Sequence, residues 1–362
     1  MIVRQNDIDP IRGGKLKTRL SNIELLRIIA MFLTLVLHSG FSAVKSPTTI
    51  EVHEQFVQSF TRFLFDSLSI TCVDIFVLIS GWFGILPTNK GLFKFLFQTL
   101  YFILGIYLVT VLWGISPMTL KGIGSCFLFI QDYDYWFVRT YLLLFIMSPI
   151  LNTFVEKTDR TTFKKVLFGF FLFQTLYAWG FVAVNAFAGG YSIISFIGLY
   201  LLARYVKCHK PRWSQMSKSK DFFVIISSIF SMAVLSFVSA YLGHPMSGKF
   251  CGSYVCPFVI ISSLFMVIIF SKFRLQSKFI NKVASSCFAV YLFHTHISIF
   301  YDYFKPTIVS IYSHFNGILC ISMIGIFLIS VFFTAILLDQ PRRWIWNLIA
   351  KKYEYNKSSI HA

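Results

Sequence analysis

Ten apolar runs, most of them near the length that crosses a hydrocarbon core, leave this chain essentially one class of fold. They lie near residues 23–41, 68–86, 93–114, 135–153, 166–187, 192–206, 222–242, 255–271, 284–303 and 317–338. A spanning helix needs roughly 20 residues at about 1.5 Å each. Lipid offers the backbone no hydrogen-bond partners, so each run must satisfy its own amides and carbonyls as a helix. Of the 362 residues, 56% are hydrophobic and only 13% charged, which is more apolar surface than a soluble core of this length requires. The expected architecture is all-α: a polytopic integral membrane helical bundle of about ten transmembrane helices.

The net charge of +18 would suggest a nucleic-acid partner if it were clustered, but it alternates with the spans. Numbering the two sides in turn puts nearly every Lys and Arg on the side of the N-terminus. The exceptions are Lys45, Arg62, Lys121, Arg139, Lys249 and Lys305, plus Arg27 inside the first run. Basic residues accumulate on cytoplasmic loops, so both termini are expected in the cytoplasm. The excess then serves orientation and contact with anionic lipid, and no nucleic-acid partner is expected. The sequence divides into a basic cytoplasmic segment, 1–21, the transmembrane domain, 22–342, and a basic cytoplasmic tail, 343–362. The polar start lacks the short apolar segment and small-residue cleavage site of a removable signal, so the first span is expected to be a retained anchor. Segments 42–67 and 115–134 are the largest expected external loops, and 207–221 is the largest cytoplasmic one. Cys251 and Cys256, close together in one external loop, are open to pairing or to remaining free.

Arg27 and His38 lie within the first run, separated by Ile28 through Leu37. A lipid-spanning helix gains nothing from a guanidinium and an imidazole, so such groups usually line a pathway. Eleven positions at about 100° return to the same face after roughly 16 Å of rise. Glu24 and Thr34 fall on the same stripe. The remaining polar groups have both a functional and a purely structural explanation. Asp74 and Asp339 are candidate site residues or interfacial groups, with Asp339 a possible helix cap beside Arg342 and Arg343. Ser80 with Gly81 suits either chemistry or close helix packing. Trp136, with Tyr133, Tyr135 and Tyr141, suits a ligand wall or an interfacial aromatic belt. Tyr291 and His294 are candidate site residues, His294 also fitting simple interior packing, while His296 is expected at the external rim.

Several of these residues recur as motifs. Ser21-Asn22-Ile23-Glu24-Leu25-Leu26-Arg27 continuing to His38 resembles the Arg-x10-His opening of the membrane acyltransferase-3 family. Asp74-Ile75-Phe76-Val77-Leu78-Ile79-Ser80-Gly81 resembles its Asp-x-Phe-Phe-x-x-Ser-Gly segment, with Val77 in place of the second Phe. Trp136-Phe137-Val138 with Tyr141 and Pro149, and Phe196-Ile197-Gly198-Leu199-Tyr200, resemble later helices. Tyr291-Leu292-Phe293-His294 is similar to the family's Tyr-Leu-x-His segment, with Thr295 where Pro is common. The resemblance runs in order from about 21 to 343, and no hydrolase-like segment follows it.

The resemblance implies transfer of an acyl group, usually acetyl and sometimes succinyl, from acyl-CoA to a sugar hydroxyl of a surface or exported polysaccharide. It places the chain in the bacterial cytoplasmic membrane as a multi-pass protein. Acyl-CoA, the glycan acceptor and the lipid bilayer would be its partners, with glycan-assembly proteins possible beside them. No metal and no permanently bound cofactor is expected. His38 is the expected general base, Asp74 its orienting carboxylate, and Ser80 or Tyr291 an oxyanion donor, with His294 also in the catalytic set. Arg27 is expected to hold a donor phosphate, with Glu24, Trp136 and Asp339 on the substrate-binding side. The competing reading is a glycan or small-solute exporter in which the same Arg and His line a path without acyl chemistry.

Overall fold

The computed structural model describes residues 20–129, 135–181 and 184–360, of which 351–360 are traced by their backbone alone. Helices dominate, and no strand occurs among the described residues. Among the described residues six helices are long and apolar enough to cross a membrane: Ser21–Val44, Phe56–Phe83, Asn89–Leu112, Trp136–Lys157, Lys218–Tyr241 and Gly317–Ala350. A bent pair, Lys278–His294 with Ile297–His314, makes a seventh if counted as one span. The other three expected runs are helical too, but do not meet that length and composition. They contain Arg160–Phe173, which continues as a π-helical stretch to Gly180, Ile193–His209 and Pro257–Ser271.

The first helix, α1 (Ser21–Leu37), passes without a break into a π-helical stretch, His38–Val44. Segment 42–67 is not the open loop expected. It holds α2 (Thr49–Glu54) and α3 (Phe56–Ser69), and α3 meets α4 (Thr71–Phe83) at Ile70. Polar residues interleaved with Phe56, Phe60 and Phe63 disguise α3 in the sequence, yet they fall on one side of an amphipathic helix.

Every residue of α4 is buried, so this helix forms the centre of the bundle. Gly81 makes the centre tight: a Cβ there would stand 2.4 Å from the Tyr200 carbonyl oxygen of α9 (Ile193–His209). Small residues allow such an approach where lipid leaves packing as the main force between helices. Around this core run α5 (Asn89–Leu112), α6 (Leu120–Leu128), α7 (Trp136–Lys157), α8 (Arg160–Phe173), α10 (Lys218–Tyr241), the short α11 (Ser247–Phe250) and α12 (Pro257–Ser271). The chain closes with α13 (Lys278–Ala284), α14 (Cys287–His294), the one-turn α15 (Ile297–Ile299), α16 (Lys305–His314) and α17 (Gly317–Ile360). Exposed Ile318, Ile326, Phe333 and Leu337 give α17 an apolar outer face, as a lipid-facing helix requires. It does not stop at Asp339 but carries Pro341 within it.

None of the seven cysteines forms a disulfide among the described residues. Cys251 does not pair with Cys256: its sulfur lies 3.2 Å from the Ser67 hydroxyl and 2.9 Å from that of Ser236.

Candidate active site

Glu24, Arg27, Met31, Thr34 and His38 all line one cavity of about 980 Å³, counting its open mouth. Their spacings of three and four residues are those that keep side chains on one helical face. The stripe expected on α1 is therefore one wall of a hollow between the helices. Val73 and Phe76 of α4, Lys94 and Gln98 of α5, Trp136 of α7 and Tyr291 of α14 complete much of it.

At the far end of the stripe, Nδ1 of His38 lies 2.8 Å from Nε2 of His294. His294 ends α14, and its own Nδ1 lies 2.5 Å from the Val290 carbonyl oxygen. A carbonyl can only accept, so Nδ1 of His294 carries a hydrogen. In neutral His294, Nε2 is then an acceptor, and His38 must donate to it from Nδ1. The remaining lone pair of neutral His38 is on Nε2. These tautomers are assigned from the bonding partners. A backbone carbonyl thus determines, through one imidazole, which nitrogen of the next is basic.

The break after α14 presents His294 to α1. Thr295 takes the Tyr291 carbonyl with both its backbone amide, at 3.1 Å, and its hydroxyl, at 2.7 Å. The chain then turns extended at His296 and bends by 74°. No Gly or Pro marks this break in the sequence. The returning segment packs the Phe300 ring 6.1 Å from the His38 ring and the Phe304 ring 5.5 Å from that of His294. His296, expected at the rim, is 1% exposed.

At the near end, Nη1 of Arg27 donates to Oε1 of Glu24 at 2.6 Å. Their side chains are only 10% and 5% exposed, so the guanidinium enters the cavity wall with its charge already compensated. Nε of Arg27 and Oε2 of Glu24 have no hydrogen-bond partner.

The other expected site residues divide between the cavity and the packing around it. Trp136 is in the cavity wall, its ring 4.4 Å from that of Tyr191 and 5.9 Å from that of Tyr254. Tyr133 lies outside the described residues. Tyr291 lines the cavity, its ring 5.8 Å from Phe137. Asp74 is fully buried, but neither carboxylate oxygen has a hydrogen-bond partner. His294, not Asp74, is the group that orients His38. Ser80 does not line the cavity; its hydroxyl donates to the Phe76 carbonyl at 2.9 Å and lies 3.3 Å from the Tyr141 hydroxyl. Asp339 is likewise outside the wall. It forms a buried two-point pair with Arg342, both bonds 2.8 Å, and accepts a 3.4 Å bond from Gln98.

Lys94, Gln98 and Tyr254 are cavity residues that sequence reasoning misses. Lys94 counts equally well among the basic residues that orient the chain, although Gln98, one turn further along an apolar helix, marks the same face. Tyr254 lies in the segment before α12 and carries no comparable signal. Among the described residues there is no group of three or more His, Cys, Asp or Glu able to hold a metal ion.

The model of one protein family, described as an acyltransferase domain of the acyltransferase-3 type, matches residues 20–337. Comparison with curated proteins finds no match, and comparison with solved structures finds none. The match covers nearly the whole bundle, including both halves of the His38–His294 pair, so the chain belongs to the acyltransferase-3 family and is a membrane acyltransferase.

Proposed function

We propose that this protein transfers an acyl group, acetyl foremost, from acyl-CoA to a hydroxyl of a surface or exported polysaccharide in the bacterial cytoplasmic membrane. The observation that carries this reading is a single cavity with a compensated cation at one end and an imidazole of defined tautomer at the other. With Arg27 toward the cytoplasmic side, the roughly 16 Å of α1 between it and His38 suits an extended pantetheine arm.

In the proposed reaction the acceptor hydroxyl gives its proton to Nε2 of His38 as its oxygen attacks the thioester carbonyl. A C–O bond forms, the C–S bond breaks, and the proton held on His38 leaves with the CoA thiolate as the thiol. His38 becomes an imidazolium in the transition state, and its Nδ1–H bond to His294 becomes charge-assisted at that moment. A bond that strengthens only in the transition state accelerates the step. Tyr291 is a candidate donor to the developing oxyanion. Trp136, Tyr191 and Tyr254 offer ring faces to a sugar. The family match removes the ground for an exporter without acyl chemistry.

The test is purified protein in lipid nanodiscs supplied with acetyl-CoA and a glycan acceptor, following thiol release and ester formation. His38→Ala should lower turnover by about 10²- to 10⁴-fold, as expected for loss of a general base, with membrane insertion unchanged. Wild-type turnover in that variant would remove His38 from the mechanism. Analysis of envelope glycans from a deletion strain, seeking a lost acetyl or succinyl ester, identifies the acceptor.

A further inference from the structure

A second hollow of about 300 Å³ opens where α5, α13 and α17 meet, and its walls carry Lys94, Lys282, Arg342, Arg343 and Trp346. It shares Lys94 and Ser285 with the cavity that reaches His38, so the two adjoin. No carboxylate lines it among the described residues. Arg342 is 1% exposed, and Asp339 engages only its Nε and Nη2. Its Nη1 is buried without a hydrogen-bond partner. A guanidinium nitrogen buried without a partner, beside further cations and with no carboxylate among the described lining residues, is a site prepared for an anion. The Trp346 ring, 5.7 Å from that of Phe97, sets a flat aromatic surface beside it.

Arg27 resembles Arg342 in having one buried carboxylate partner, Glu24 at 2.6 Å, and one unpartnered nitrogen, but in the cavity wall only Lys94 joins it, whereas Lys94, Lys282 and Arg343 surround Arg342 in the hollow.

We propose that this basic hollow holds the phosphates of the donor's 3′-phospho-ADP group, with the purine against Trp346. The pantetheine arm then passes Lys94 and Ser285 and follows α1 to His38. This rests on the acyl-CoA reading given above and moves the phosphate site from Arg27 to Lys282, Arg342 and Arg343. The shared chemistry, clustered phosphate, also belongs to anionic lipid headgroups, and the test separates the two sources.

Full-length protein is placed in nanodiscs of phosphatidylcholine alone or with an anionic lipid, as wild type, Lys282→Ala and Arg343→Ala. Each is given acetyl-CoA or S-acetylpantetheine, which has the thioester arm but no nucleotide. Loss of one charge-assisted phosphate contact should lower kcat/KM for acetyl-CoA by about 10- to 100-fold and leave S-acetylpantetheine within twofold. Equal losses with both donors, or none with either, overturn the proposal. Binding of adenosine 3′,5′-bisphosphate in phosphatidylcholine discs, measured by calorimetry, gives an arm independent of turnover. Binding that weakens at least tenfold in Arg343→Ala supports the subsite. Absence of binding to wild type overturns it, as does binding abolished by anionic lipid in wild type but not in Arg343→Ala. Failure of the acyl-CoA reading itself has a different signature: nucleotide binding without thiol release from acetyl-CoA.

Discussion

Replacing His294 isolates the part of the proposed mechanism that depends on two residues 256 positions apart. In the ground state the bond from His38 Nδ1 to His294 joins neutral groups and contributes about 1 kcal/mol. Once His38 has taken the acceptor proton, the same bond starts from an imidazolium and contributes about 2–3 kcal/mol. Only the difference, about 1–2 kcal/mol, appears in the barrier, which is roughly 5- to 30-fold in kcat. His294→Ala should therefore lower kcat by that factor, and by more if the ring of His38 also rotates, while KM for acetyl-CoA stays near wild type. His294→Gln supplies an acceptor oxygen to His38 and an amide hydrogen to Val290, and should recover most of the loss. The assay is initial-rate thiol release in nanodiscs over a range of acetyl-CoA concentrations, with folding checked by thermal melting. A kcat within twofold of wild type in His294→Ala, or a change confined to KM, would refute the relay. A folded His294→Gln variant no better than His294→Ala would refute its tautomer logic.

Arg27→Ala should destabilise the fold by about 3–5 kcal/mol, because it leaves the buried Glu24 carboxylate unpaired. The double replacement Arg27→Met with Glu24→Gln should restore the melting temperature in detergent, and a melt as low as that of the single variant would contradict the pairing. Asp339→Ala should act similarly through Arg342, whose Nε and Nη2 both lose their acceptor; an unchanged melting temperature would show that the pair is not needed. Gly81→Ala should cost about 1–3 kcal/mol by forcing α4 from α9, since its Cβ would meet the Tyr200 carbonyl oxygen at 2.4 Å. Gly105→Ala, whose Cβ meets nothing within 4 Å, serves as its control in the same melting experiment.

Much of the active site is legible in the sequence because it lies along one continuous helix. Glu24, Arg27, Thr34 and His38 share a face through the 3.6-residue period alone, and all four line the cavity. Their polarity in an apolar run separates them from packing residues. What the sequence does not carry is long-range. Asp74 has the depth expected of a carboxylate orienting His38, but depth is one coordinate and a hydrogen bond needs all three. The partner is His294, brought in by the break after α14, which no Gly or Pro marks as punctuation in the sequence. Ser80 and Asp339 look like site residues for the same polar reason, yet they meet Tyr141 and Arg342 outside the cavity.

The bundle shows the same division. Long apolar runs dictate helices because lipid leaves the backbone no other partner, and each expected run contains helix. Which of them meet the full length and composition of a span is less accessible: α9 and α12 are shorter, and the amphipathic α3 resembles a loop. Periodicity and hydropathy are local quantities, so the sequence alone determined the helical membrane architecture and the polar stripe of α1. The His38–His294 bond and the basic hollow beside Arg342 belong to tertiary structure, because each joins side chains from helices far apart in the chain. Charges at 94, 282 and 343 look alike in a count of basic residues; only the tertiary structure brings them to one hollow, the proposed place for phosphate.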